Sequence, residues 1–209
     1  MASPNASPED ALDELQLDAL REVANIGCGH AVGALSRLMG GQRVGIEVPR
    51  AKLIEFGAIA ELVGGHEEPV VGVATDITGE LGGGLLLLMP VEGARGLAGA
   101  LLGARAGEGP LSDEARSALS EVGNILCSAC LSAIATAFGL SLLPSVPRLA
   151  EDMAGAVLEE VVSPMSERAD RALVLETRFS AGDGQALSGH FLIFPDVPSL
   201  PALLKAIGL

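Results

Sequence analysis

A carboxylate and a carboxamide three residues apart, Glu22 with Asn25, recur 99 positions later as Glu121 with Asn124. A neutral amide accepts through its oxygen and donates through its nitrogen, so it can orient a water molecule beside an anion without adding charge. A carboxylate one helical turn away can pair with a partner's cation. Asp18 and Ser117 precede the two Glu residues by four positions. The chain therefore carries two constellations suited to handling water and charge.

Their surroundings repeat as well. Residues 12–28 align without gaps over 111–127 with eight identities in seventeen positions, Cys28/Cys127 among them. At about 100° per residue, positions 18, 22, 25 and 29 fall within about 60° of one another on a helical wheel. Leu20, Val23, Ala24, Gly27, Ala31, Ala34 and Leu38 take the other side, and Leu119, Val122, Leu126, Cys130, Ala133 and Ala137 do so in the second copy. Two amphipathic helices are predicted, with Asn25 and Asn124 both exposed. Asp13 with Gln16, and Ser112 before Asp113 and Glu114, read as starts, while Gly40 and Gly139 read as stops.

The duplication extends further. Pro49-Arg50 returns as Pro147-Arg148, followed by Gly57/Gly155, Ala58/Ala156, Glu61/Glu159 and Val63/Val161. Short apolar runs bounded by turn residues predict strands over 70–77, 84–90, 172–179 and 189–195. Ala/Leu-rich helices are expected over 91–102 and 197–207. The halves run over about 12–105 and 111–209 of one domain, with 1–8 expected to be disordered.

Composition narrows the function classes. A net charge of −14 and the lack of Trp and Tyr oppose a nucleic-acid partner. Residues 1–10 lack the basic start and apolar core of a signal peptide, and no apolar stretch reaches the roughly 18 residues of a membrane span. A cytoplasmic protein without membrane insertion is expected. Its three cysteines suit a reducing compartment.

The spacing Asp/Ser-x3-Glu-x2-Asn-x22-Pro resembles the signature of the CheC, CheX and FliY group of chemotaxis phosphatases. Asn124 and Pro147 keep it, whereas Asn25 and Pro49 stand one residue further apart. Two signatures in a chain of this length resemble the CheC type. The resemblance implies an α+β fold, a largely antiparallel sheet of about six strands packed with helices under pseudo-two-fold symmetry. It also implies hydrolysis of the aspartyl phosphate on a CheY-like receiver domain. Asn25 and Asn124 would position the attacking water, Glu22 and Glu121 would grip the receiver's Lys, and Asp18 and Ser117 would assist contact. Mg²⁺ is expected on the receiver, with no cofactor or metal bound by this chain. The implied protein is a monomer whose further partner is CheD, a receptor-modifying deamidase. Segment 148–162, with its acidic rim and apolar stripe, is the candidate for that contact. The alternative is a non-catalytic module that sequesters CheD or a phosphorylated receiver.

Plainer readings stand beside these. Helical Glu and Asn are most often merely solvated, yet here they persist in both copies while Arg21/Ser120 and Gln16/Ala115 differ. Cys127-x-x-Cys130 could form a redox pair or half a zinc site, but it falls within a helix, with Cys130 on the apolar face and no second ligand pair. Segment 79–84 lacks the Lys-Ser/Thr of a phosphate loop and reads as a hairpin turn. His30, His66 and His190 are scattered, and no Gly-x-Ser-x-Gly elbow is present.

Overall fold

The computed structural model describes residues 14–38, 44–103, 109–166, 171–181 and 185–195. The expected disorder at 1–8, the start signal at Asp13, the stop at Gly40 and the helix over 197–207 lie outside them. The chain begins with helix α1 (Glu14–Leu38) and strand β1 (Val44–Glu55). Two short 3-10 turns (Phe56–Ala58 and Ala60–Val63) lead to β2 (Pro69–Gly79), β3 (Gly83–Pro90) and helix α2 (Val91–Leu102). The second copy runs through α3 (Asp113–Phe138), β4 (Leu142–Pro144), β5 (Arg148–Met153), α4 (Ala154–Ser166), β6 (Arg171–Ala181) and β7 (Gln185–Pro195).

Ser112 caps α3, its side chain accepting from the Ala115 N–H at 3.2 Å, and Gly139 ends the helix at φ 66. The predicted hairpin forms between β2 and β3, with Gly79 at φ 121 and Gly83 at φ 135. These positive φ values favour glycine.

All strands join one antiparallel sheet in the order β1-β6-β7-β3-β2-β4, with β5 also paired to β2. Among the described residues the sheet has seven strands, close to the six expected. The strand that runs unbroken as β1 in the first copy, with a bulge between Glu47 and Arg50, is divided in the second copy into β4 and β5. The halves are interleaved: β1 pairs with β6 of the second copy, and β5 pairs with β2 of the first. The pseudo-dyad passes between β3 and β7.

The sheet is buried on both faces, so β3 reads as a continuous apolar run, Leu85 to Met89 being fully buried. Val71, Val73, Leu85, Leu87, Leu175 and Phe191 meet α1, α2 and α3 on one face. Val70, Leu86, Leu88, Val174, Leu192 and Phe194 meet the 3-10 turns and α4 on the other. Gly27 allows α1 to cross α3 closely, since a Cβ there would stand 3.0 Å from both Ala129 O and Cys130 Cα. Leu35, missing from the predicted apolar face, is buried, whereas Ala137 is exposed.

By length and composition alone α3 could cross a membrane, contrary to the sequence expectation. It is a core helix instead, with Leu119, Val122, Leu126 and Leu131 buried beneath an outward polar stripe.

Candidate functional site

The outward stripe of α3 carries exposed Ser117, exposed Glu121 and half-buried Asn124. Gly123 seats the helix on β2, a Cβ there falling 2.4 Å from Val73 Cγ1. Facing the stripe is a tongue, residues 144–147, between β4 and β5. An open groove of about 1090 Å³ separates the two, lined by Ser117, Glu121 and Asn124 on one side and by Pro144, Ser145, Val146 and Pro147 on the other. Among the described residues the Asn124 side chain makes no hydrogen bond, so its amide is free to take a water or an incoming group. Asp113 and Glu114 also line the groove, and among the described residues no basic side chain does.

Both walls are tied to the sheet. Glu151 on β5 holds the start of α3, accepting from Arg116 Nη1 at 2.7 Å and from the Leu111 N–H at 3.3 Å. Asp76 on β2 holds the tongue. Its N–H donates to Ser145 Oγ at 3.0 Å, and its carbonyl accepts from the Ser145 N–H at 2.9 Å. Its carboxylate takes both Arg148 nitrogens, at 2.7 and 3.2 Å. The Arg148 hydrogen bond holds the Asp76 carboxyl below its usual range despite partial desolvation, and the Arg148 pKa is raised in return. Both side chains are about half exposed, so the pair contributes only about 0–1 kcal/mol and acts mainly on register. Neither Asp76 nor Ser145 stood out in the sequence; the recurrence of Pro147-Arg148 was the available signal.

The first copy differs. Glu22 is exposed, and Asp18 is ion-paired with Arg21 at 2.5 Å. Asn25, expected to be exposed and without structural duty, is half-buried and clasps the backbone of one residue of β1. Its Nδ2 donates to Val48 O at 3.2 Å, and the Val48 N–H donates to Asn25 Oδ1 at 2.8 Å. Val48 stands at the bulge, where ladder partners on β6 are missing. Beneath it lies an enclosed apolar cavity bounded by Ala24, Cys28, Leu126 and Cys130. The duplicated residues thus form an open groove in one copy and a closed contact in the other.

The thiols offer no rival chemistry. Cys28, Cys127 and Cys130 are free, and burial pushes Cys28 and Cys127 up to about 11 and Cys130 higher still. No cluster able to hold a metal occurs among the described residues. His30 and His66 are exposed, and half-buried His190 has its pKa lowered by desolvation.

Segment 148–162 is half strand and half helix. Its apolar stripe of Ala154, Val157, Leu158 and Val161 faces the protein's own core, leaving Asp152, Met153, Glu159 and Glu160 at the surface. That stripe is occupied and cannot fill a partner's groove in this arrangement.

The model of the CheC-like family matches residues 15–53 and 114–151, the start of each copy. The CheY-P phosphatase CheC of Bacillus subtilis is 35% identical over 206 residues, covering 95% of this chain and 97% of that protein. The flagellar motor switch phosphatase FliY of the same organism is 27% identical over 70% of this chain, which spans 38% of that longer protein. Among solved structures, Thermotoga maritima FliY aligns with a TM-score of 0.77 at 18% identity, covering 94% of this chain and 98% of that one, a likeness of fold.

Proposed function

The chain belongs to the CheC-like family, and on that premise we propose that it hydrolyses the aspartyl phosphate of a CheY-like receiver docked over the α3 groove. The observation that carries this reading is the unpartnered Asn124 amide beside exposed Glu121 in an open groove. In the reaction a water oxygen bonds to phosphorus as the bond between phosphorus and the aspartyl oxygen breaks. Phosphate leaves carrying both of the water's protons, as dihydrogen phosphate or with one passed to solvent, and the receiver's carboxylate is restored.

Asn124 accepts from the attacking water and donates to a phosphoryl oxygen, which fixes the in-line approach. Glu121 pairs with the receiver's Lys and registers the helix across the cleft. Ser117 adds a contact one turn earlier. Among the described residues three carboxylates and no cation line the groove, which disfavours a bare phosphate. The charge of the transferring group is neutralised by the receiver's own Mg²⁺ and Lys. Glu22 and Asn25 take the same roles at the first copy only when the Asn25 amide leaves Val48. A CheD-type partner at 148–162 would meet only the polar rim and Met153.

The test is the decay of a Mg²⁺-loaded, phosphorylated CheY-type receiver. Acceleration by the wild type, reduced about 100-fold in Asn124→Ala with unchanged folding, is expected. Binding of the phosphorylated receiver without acceleration would move the assignment to a sequestering module.

A further inference from the structure

The tongue and its counterpart in the first copy are the same repeat unit in two positions. Val48, Pro49 and Arg50 recur as Val146, Pro147 and Arg148. Val48 is 3% exposed, with its backbone clasped by Asn25. Val146 is 83% exposed, and Asn124 is left free.

The sequence supplies a cause. Arg148 lies opposite Ala74 and reaches Asp76 two residues along β2, whereas Arg50 lies opposite Glu176, and the residue two further along β6 is Arg178. The position of Ser145 is taken in the first copy by Glu47, which pairs in register with Arg178. The sequence thus offers Arg50 no carboxylate at the place where Arg148 finds a bidentate partner. The first copy therefore lacks the brace that draws the second tongue outward, and its valine lies against the helix.

We propose that this segment is a gate on the amide, shut over Asn25 and held open over Asn124 by Asp76, Ser145 and Arg148, with Asp76 and Arg148 as positioning residues for the reaction. The consequence for turnover rests on the phosphatase reading. Catalysis then resides in the second site, and the first is a structural clasp while its amide holds Val48. Loss of the brace frees the tongue to fold toward α3, where the Val146 backbone would compete with substrate for Asn124.

Two measurements test the gate separately from that reading. Thermal unfolding compares Asn25→Ala with Asn124→Ala. The first strands both backbone polar groups of buried Val48 and is expected to lower Tm by about 5–10 °C, while the second stays within about 2 °C of wild type. Equal shifts overturn the gate whatever the activity.

Receiver dephosphorylation is then followed at saturating receiver. Asn124→Ala alone is expected to return the decay to the receiver's own rate although Asn25 is intact. About half the acceleration surviving would overturn the shut first site and leave the phosphatase reading standing. Asp76→Ala is expected to lower kcat about 3-fold, and exchanging the pair as Asp76→Arg with Arg148→Asp to recover most of it. An unchanged kcat in Asp76→Ala, or no recovery on exchange, overturns the brace. If the wild type fails to accelerate decay, the phosphatase reading falls, and the thermal comparison still decides the gate.

Discussion

At the scale of single residues, function divides between side chains of one type by what their neighbours leave free. Asn25 and Asn124 share a repeat position, but one spends its amide on the Val48 backbone and the other keeps it for the groove. Glu121, exposed on the same stripe, is expected to govern association. Glu121→Gln should raise KM for the phosphorylated receiver about 10-fold with a smaller effect on kcat, and the difference should shrink as salt rises, as steady-state assays at two ionic strengths would register. The thiols illustrate the opposite case. With Cys28 and Cys127 held near 11 by desolvation, little thiolate exists at neutral pH. Reaction with an aromatic disulfide at pH 7.5 should run on the order of 100-fold slower in the native protein than after unfolding. Rapid native-state labelling would restore the redox reading of the cysteines.

At the scale of elements, the groove exists because α3 and the tongue are each fixed to the sheet by contacts outside the groove. Gly123 sets how deeply α3 sits. Gly123→Ala drives a methyl into the stiff Val73 side chain and should cost about 1–3 kcal/mol, read as a Tm loss of about 3–10 °C that Val73→Ala largely reverses. The equivalent change at Gly27 meets backbone atoms of α3 and should have no such side-chain rescue. The tongue's brace has a defined pH dependence. Because Arg148 lowers the Asp76 pKa on folding, the folded state binds that proton less tightly than the unfolded one. Its contribution is complete above the ordinary value near 3.8 and is lost as pH falls through the lower folded value. The Tm difference between wild type and Asp76→Asn should therefore be constant from pH 8 to about 5 and vanish in stronger acid. A difference that grew on acidification would reverse the assignment.

At the scale of the whole molecule, the two halves exchange partners within one sheet. β1 completes the second half's ladder through β6, and β5 completes the first half's through β2. A half expressed alone keeps its helices' patterns but leaves β2 and β3 without β5 and β7 and gives β1 no neighbour. Residues 1–108 alone are therefore expected to be unfolded or self-associated, as circular dichroism and sedimentation would show. A folded monomeric half would mean that the interleaving is dispensable.

The sequence by itself determined what is local or repeated. The 3.6-residue periodicity placed α1 and α3, Ala/Leu-rich composition marked α2, the Ser112 and Gly139 signals bounded α3, and apolar runs marked β2, β3, β6 and β7. The duplication placed Glu22, Asn25, Glu121 and Asn124 on matching helix faces. Strand β1 and the pieces β4 and β5 were missed, because Pro49 and Pro147 break their alternation and their partners lie in the other half. Only the tertiary structure decided which Asn is free. That choice depends on what stands two residues along a neighbouring strand, Asp76 or Arg178, and pairing register over such distances leaves no mark in a local pattern.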